Sequence, residues 1–282
     1  MNTRLASHFT LNMTLFSDYI APFILAILQG ITEFLPVSSS GHLVLLNQFM
    51  DVDKGIVFDL VLHLATLISV VAFYWRDIVE ICVGGVHEIK TKGDKSNLKF
   101  VGYLIVATFI TGVIGLTLND LVETKFRNII VVGVLLIANS AILMASKKAG
   151  LFSITKDERL SLKSAMVIGI VQGLAVLPGI SRSGSTITAA LLMGIEKKDC
   201  AKISFLLSIP VILGAVILHL KDLSSFSSDN LIVIGLAAAV AAVVGYLSLV
   251  LLNKLLQKAN FHYFAPYCLI VGILAICVGL FI

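Results

Sequence analysis

The sequence has few charged residues. Asp, Glu, Lys and Arg make up 13% of its 282 residues, where soluble globular domains average about 25%. Its four cysteines are scattered at no metal-binding or disulfide-framework spacing, so we expect them to pack as small apolar side chains. The basic residues form no stripe of the kind that binds nucleic acid. These shortages argue against a soluble enzyme, a disulfide-stabilised secreted domain and a nucleic-acid-binding protein.

Apolar residues are abundant instead. They make up 58% of the chain, and the mean hydropathy is +1.00. Runs of about 20 apolar residues are long enough to cross a bilayer as α-helices, so the composition predicts an all-α polytopic membrane protein with about six transmembrane helices. The predicted spans are Phe58–Trp75, Lys99–Leu118, Ile129–Ala145, Ile203–His219, Leu231–Leu252 and Tyr263–Ile282.

Two further apolar regions, Tyr19–Phe49 and Leu162–Ile195, are interrupted in the middle. Pro36 interrupts the first and Pro178 the second, each with glycines and hydroxyl residues beside it. A broken helix leaves backbone groups unpaired, which lipid does not tolerate unless protein or a polar cavity covers them. Each region therefore predicts a re-entrant helix–loop–helix hairpin rather than a straight span.

The interruptions are near copies of each other. "QGITEFLPVSSSGH" (Gln29–His42) and "QGLAVLPGISRSGS" (Gln172–Ser185) align at an offset of 143 residues. Each copy is followed by three spans, an odd number, so the second unit should be inverted relative to the first. Inverted-topology repeats of this kind place their site at the interface of the two halves.

The duplication predicts one membrane domain with four segments. A disordered N-terminal extension precedes the first repeat, and a cytoplasmic linker joins it to the second. The predicted boundaries are 1–18 for the extension, 19–146 for repeat 1, 147–161 for the linker and 162–282 for repeat 2.

The basic residues predict the orientation. Most of the 21 Lys and Arg fall in loops that the predicted topology places on one side of the membrane, and basic loops stay in the cytoplasm. Both termini should then be extracytoplasmic, with the first hairpin entering from outside and the second from inside. The two hairpin tips would approach each other within the membrane.

Both tips are rich in groups that bind phosphate. Serines entering a helix supply hydroxyls and free backbone N–H groups, which together attract anions, and Arg182 adds a guanidinium that matches phosphate oxygens. Charged residues inside a membrane are costly and are usually functional. The candidates for phosphate binding are Gln29, Ser38, Ser40, Ser181, Ser183 and Thr186.

Four residues are candidates for catalysis: Glu33, Ser39, His42 and Arg182. Ser39 is a candidate nucleophile, with His42 three positions on as a base or acid. Glu33 could act as a base or hold a divalent cation, and attack by water stays open beside attack by Ser39. The structural alternative is a Glu33–Arg182 salt bridge that only pins the two hairpins together.

Asp59 and His63 form a second tier of candidates. They are four residues apart near one end of the first full span, so they share a helix face that could line the same cavity. An acidic residue favoured by the dipole at a helix start is an equally good explanation of Asp59.

"QGITEFLPVSSSGH" and "PGISRSGSTIT" (Pro178–Thr188) resemble the two signature motifs of the undecaprenyl-diphosphate phosphatase family, also known for bacitracin resistance. The similarity extends over roughly Tyr19–Ile282 and includes "FDLVLHLATLISVVAFYWRDI". It implies hydrolysis of the C55 isoprenyl diphosphate to its monophosphate and phosphate, which recycles the lipid carrier for peptidoglycan and envelope polymers in the bacterial plasma membrane. It also implies a site that opens outward and a supporting Mg²⁺ or Ca²⁺ ion.

Carried onto this chain, the motif positions coincide with the candidates above. The family accepts glutamate or glutamine at the first of them, which here is Gln29, so Glu33 is that helix's only carboxylate and Gln29 is expected to be a polar ligand. The main alternative is a transporter or flippase for a lipid phosphate, because broken helices meeting in mid-membrane also typify transporters. A homodimer is left open. The motif positions are Gln29, Glu33, Ser38, Ser39, His42, Ser181, Arg182, Ser183 and Thr186.

Overall fold

The computed structural model describes residues 15–50, 55–91, 94–148, 160–219, 231–257 and 261–281. Within these ranges the chain is α-helical and has no β-strand, as the composition predicts. The α-helices are α1 Ala21–Thr32, α2 Ser39–Met50, α3 Gly55–Phe73, α4 Trp75–Thr91, α5 Ser96–Leu121, α6 Ile129–Ala145, α7 Leu162–Leu174, α8 Arg182–Leu192, α9 Lys197–Leu218, α10 Leu231–Gln257 and α11 Ala265–Gly279.

Short π-helical turns extend two of the helices. A π-helical turn, Phe16–Ile20, leads into α1, and another, Val122–Phe126, continues α5. Residues 1–14 of the predicted extension and 149–159 of the predicted linker lie outside the described residues.

Five helices are long and apolar enough to cross a membrane: α5, α6, α9, α10 and α11 with their short extensions. A sixth crossing is made by α3 and α4 together if that pair, bent by 68°, counts as one span. The prediction of about six spans is confirmed in this sense. The charge distribution used to predict the orientation also treats Arg76–Lys99 as a cytoplasmic loop. Over residues 76–91 this is wrong: the segment belongs to helix α4, because apolar residues recur there at helical spacing and give a charged segment one apolar face.

Helices of the two halves pack in matching pairs. At Gly30 of α1, an added Cβ would lie 2.9 Å from the Ala241 carbonyl oxygen of α10, and at Gly173 of α7 it would lie 2.7 Å from Ile114 of α5. Gly30 and Gly173 are the two glycines that the 143-residue offset aligns. The repeat and the inverted orientation of its two halves stay predictions.

The two interrupted regions form the expected helix–loop–helix hairpins, α1–α2 and α7–α8. Their tips touch: a Cβ added to Gly41 would lie 2.9 Å from the Gly179 backbone, and one added to Gly184 would lie 3.1 Å from Pro36. Protein thus covers the broken backbone on both sides, which is the condition for such breaks inside a membrane.

Candidate active site

Glu33 lies where the two hairpin tips meet. Glu33 is 7% exposed. Both of its carboxylate oxygens have hydrogen-bond partners. Arg182 Nη2 of the second hairpin lies 2.5 Å from Oε1. Ser39 Oγ donates to Oε2 at 2.6 Å, and Gln29 Nε2 donates to the same oxygen at 3.0 Å. Four sequence-predicted residues from both hairpins therefore form one connected cluster.

The first tip is shaped by its proline and serines. Helix α1 ends at Thr32, so Gln29 and Glu33 still share its last turn. Ser38 adopts a left-handed backbone conformation with φ 71°, which is costly for a residue with a side chain and often marks a functional turn. The turn aims Ser38 Oγ at two backbone donors, Gly41 N at 3.3 Å and Gly179 N at 3.0 Å. Ser38 thereby fixes one tip against the other.

The second tip places Arg182 through a helix cap. Ser181 is the N-cap of α8, and its hydroxyl accepts a hydrogen bond from Gly184 N at 3.0 Å. Arg182 is therefore the first residue of α8 and extends toward Glu33. Ser183 Oγ lies 3.2 Å from Ser181 Oγ and 3.4 Å from the Leu35 carbonyl oxygen of the first tip.

The other two predicted phosphate ligands, Thr186 and Ser40, also have partners within the protein. Thr186 Oγ1 donates to the Arg182 carbonyl oxygen at 2.7 Å and lies 2.6 Å from Ser204 Oγ of α9, so it joins α8 to α9. Ser40 Oγ lies 3.5 Å from Ser38 Oγ at the edge of the first tip. Ser40 is half-buried and is therefore more accessible than Thr186, which is buried.

His42 is held away from the Ser39–Glu33 pair. Its Nδ1 lies 2.8 Å from the Ser38 carbonyl oxygen, and its Nε2 lies 2.8 Å from the Tyr267 hydroxyl of α11. Its ring also stacks on the Tyr267 ring, with centroids 5.7 Å apart. The structure thus places the predicted base or acid beside Tyr267 and the predicted nucleophile beside Glu33.

His63, a second-tier candidate, belongs to the cluster. Its Nε2 lies 3.5 Å from Glu33 Oε2, and its Nδ1 lies 2.8 Å from the Asp59 carbonyl oxygen. Since a carbonyl only accepts, Nδ1 carries a proton and Nε2 faces the carboxylate. Asp59 lies about one turn before His63 in α3, and its carboxylate is 3.6 Å from Arg127 Nη2.

Asn139 is a site residue that the sequence reasoning missed. It is fully buried on α6, donates to the Pro36 carbonyl oxygen at 3.0 Å and accepts from Ser181 N at 3.0 Å. It therefore bridges the two tips. The available signal was an asparagine within the apolar run Ile129–Ala145, because a buried amide in a span needs specific partners. Tyr267 was not predicted as a site residue, because it lies near the start of a predicted span, where aromatic residues are common.

Comparison with known proteins gives the relatives of this chain. Residues 22–274 match the family described as "Bacitracin resistance protein BacA". The chain belongs to this family. It is 40% identical over 271 residues to the undecaprenyl-diphosphatase of Methanosphaera stadtmanae, covering 92% of this chain and 97% of that protein. It is also 39% identical to the undecaprenyl-diphosphatase of Desulforapulum autotrophicum, with 91% and 96% covered, and 36% identical to undecaprenyl-diphosphatase 1 of Bacillus cereus, with 90% and 95% covered.

Two polar atoms of the Glu33 cluster have no protein partner. Arg182 Nη1 and Gln29 Oε1 are buried without a hydrogen bond, although buried polar groups are nearly always paired. One is a donor and the other an acceptor, and both belong to residues already bonded to Glu33. A salt bridge that only pinned the hairpins would leave these atoms unexplained, whereas a ligand with phosphate oxygens would satisfy Nη1.

The cluster offers two oxygen-bearing groups to a divalent cation. The described residues contain no group of three His, Cys, Asp or Glu side chains placed to hold a metal. Mg²⁺, however, is commonly bound through one or two carboxylates together with substrate phosphates and water. The Glu33 carboxylate and the unpartnered Gln29 Oε1 are hard oxygen ligands of this kind.

Proposed function

We propose that this protein hydrolyses undecaprenyl diphosphate, or a closely related polyprenyl diphosphate, to the monophosphate and inorganic phosphate. The observation that carries the proposal is the Ser39–Glu33–Arg182 cluster, which joins a nucleophile, a carboxylate and a phosphate-binding guanidinium across two hairpins. Membership of the BacA family and the names of its relatives support the same substrate class.

The geometry supports a role for each member of the cluster. Arg182 keeps one nitrogen on Glu33 and has its unpartnered Nη1 for an oxygen of the terminal phosphate. Ser39 Oγ attacks the terminal phosphorus, forming a new P–O bond while the bond to the bridging oxygen breaks. Glu33 Oε2, 2.6 Å from Ser39 Oγ, accepts the hydroxyl proton. Polyprenyl phosphate leaves, and water then hydrolyses the phosphoserine to release phosphate.

Glu33 and Gln29 would hold the divalent cation that the family resemblance implies. When bound, such a cation neutralises charge on the diphosphate oxygens. Arg182 carries out the same neutralisation from the opposite hairpin, and Ser38 and Asn139 keep the two tips at a fixed separation.

The cellular role follows from the substrate. Returning the C55 carrier to its monophosphate form supports peptidoglycan synthesis, and faster removal of the diphosphate lowers the amount available to bacitracin. The protein would act in the bacterial plasma membrane with its site open to the outer side, both termini outside, and the substrate entering from the bilayer.

The test is phosphate release from undecaprenyl diphosphate by purified protein in nanodiscs. We expect release with Mg²⁺ or Ca²⁺, its loss in excess EDTA, and its recovery when the cation is restored. A Ser39→Ala variant should lose release and form no acid-stable phosphoenzyme. Well-folded protein that releases no phosphate with either cation would contradict the proposal and favour a transport role.

A further inference from the structure

An apolar cavity lies between α6 and the second hairpin. Its volume is about 410 Å³, and its walls are almost entirely apolar, formed by residues such as Leu135 and Ile142 of α6, Leu174 of α7 and Ala189 of α8. A volume of this size is at the lower end of the range for ligand pockets. None of the steps proposed above uses this cavity.

Two hydroxyl groups in the cavity have no partner. Ser185 and Thr188 line it, are 2% and 1% exposed, and their side-chain oxygens make no hydrogen bond. Helical Ser and Thr commonly bond a carbonyl one turn back, as Thr186 of the same helix does. Buried hydroxyls without partners cost free energy. Their oxygens are covered, so the surface that the cavity offers to a ligand is almost entirely apolar.

The cavity begins where the phosphate site ends. Ile180 lines it and precedes Ser181, the cap that positions Arg182. Ser185 is three residues beyond Arg182, a rise of about 4.5 Å along the helix. A molecule with its diphosphate at Arg182 would therefore have this cavity within one helical turn of its head group.

The side chains of the second hairpin, rather than its backbone alone, create this space. The 143-residue offset aligns Ser185 with His42 of the first hairpin. There the position carries a large ring stacked on Tyr267, whereas the second hairpin has a serine and, four residues later, Ala189. Small residues at successive turns of α8 leave the face toward α6 open.

We propose that this cavity binds the isoprenoid units next to the diphosphate of the substrate, an assignment that rests on the proposed function. The cavity is too small for a whole C55 chain, so it takes only a few units and leaves the rest to the bilayer. The walls of the cavity are almost entirely apolar, which suits the hydrocarbon of an isoprenoid chain.

The test measures binding separately from hydrolysis. It uses diphosphonate analogues, in which a methylene group replaces the bridging oxygen, with a C5 or a geranylgeranyl (C20) chain, on protein in nanodiscs. The parent should bind the C20 analogue at least about tenfold more tightly than the C5 analogue. Ala189→Leu, which fills the cavity, should reduce this ratio several-fold, and Ala145→Leu should do the same from the α6 wall. Ala141→Leu on the exposed face of α6 is the matched control and should keep the parent ratio.

Two results would overturn the proposal. One is equal affinity of the parent for the C5 and C20 analogues, which would assign the cavity to bilayer lipid. The other is a ratio in Ala189→Leu and Ala145→Leu no different from the control, while all three still bind the C5 analogue and are therefore folded. Because these are affinities, they remain informative even if the parent hydrolyses no polyprenyl diphosphate.

Discussion

At the scale of single residues, the proposed site depends on a buried charged pair at the tips of the two hairpins. Glu33 and Arg182 are 149 positions apart and meet at 2.5 Å. The sequence predicted both as site residues because charges in apolar segments need a reason. It could not predict that Ser39 bonds Glu33 while His42 bonds Tyr267, because positions three apart on one helix say nothing about which neighbouring helix each side chain reaches.

Replacing Arg182 with lysine separates charge from geometry. Lysine keeps a positive charge near Glu33 but lacks the planar fork that lets one nitrogen bond Glu33 while the other bonds phosphate. We expect Arg182→Lys to lower kcat/KM about 100-fold, the equivalent of about 2.7 kcal/mol, with little change in the melting temperature. Steady-state kinetics and thermal unfolding measure the two effects. Near-normal kcat/KM would show that the second nitrogen has no role.

At the scale of helices, two kinds of contact hold the halves together. Asn139 ties both tips to α6, and facing glycines let α6 and α11 approach closely, since a Cβ on Gly133 would lie 2.7 Å from the Gly272 carbonyl oxygen. Hydropathy predicted the spans and the interruptions predicted the hairpins. Neither could predict which spans touch, because apolar runs of similar length are interchangeable by composition. The amphipathic α4 was missed for the same reason, since the charges of Trp75–Thr91 hid its apolar face.

The Asn139 bridge predicts a loss of stability and of activity together. Asn139→Leu leaves the Ser181 N–H unpaired and leaves the Pro36 carbonyl with only the weak Cys268 thiol donor at 3.8 Å. A buried unpaired group costs about 1–3 kcal/mol. We expect a lower melting temperature and a lower kcat/KM as the tips lose their spacing. Asn119→Leu is the matched control, because that amide makes an exposed hydrogen bond to Glu123. Equal effects from the two variants would argue against the bridge.

The glycine contact predicts a difference between two identical substitutions. Gly133→Ala must push α6 and α11 apart, and overpacking of this kind costs about 1–3 kcal/mol. Gly112→Ala has open space around the new methyl group and should be neutral or stabilise α5, since alanine favours helix. Denaturation of both variants in the same detergent compares them. A Gly133→Ala variant as stable as the parent would contradict the close contact.

At the scale of the whole molecule, the helix ends sort into two sets. Gln48, Asn128 and Gly279, from different helices, line one polar pocket of about 420 Å³. A second set includes Lys202, which lies 2.5 Å from Asp77, and Asn253, which lies 3.4 Å from the Tyr74 hydroxyl. The predicted topology groups the ends in this same way. Which set faces the cytoplasm is still predicted from the distribution of basic residues alone.

Cysteine labelling in cells tests that orientation. In a variant whose native cysteines are replaced, Lys125→Cys should react with a membrane-impermeant maleimide added outside, because residue 125 is exposed beside the polar pocket. Lys198→Cys, exposed at the start of α9, should react only after the membrane is permeabilised. The reverse pattern would place the site on the cytoplasmic side and contradict the predicted topology.

The most direct test of the central claim is a double-mutant cycle on kcat/KM for undecaprenyl diphosphate hydrolysis, with Glu33→Gln, Arg182→Lys and the double variant. If the two residues form one catalytic unit across the hairpins, each single change should remove most of the activity. The double change should then cost little more than the worse single one, a large coupling energy. Losses that multiply independently, or single variants that keep parent activity, would contradict a shared site at the meeting of the two hairpin tips.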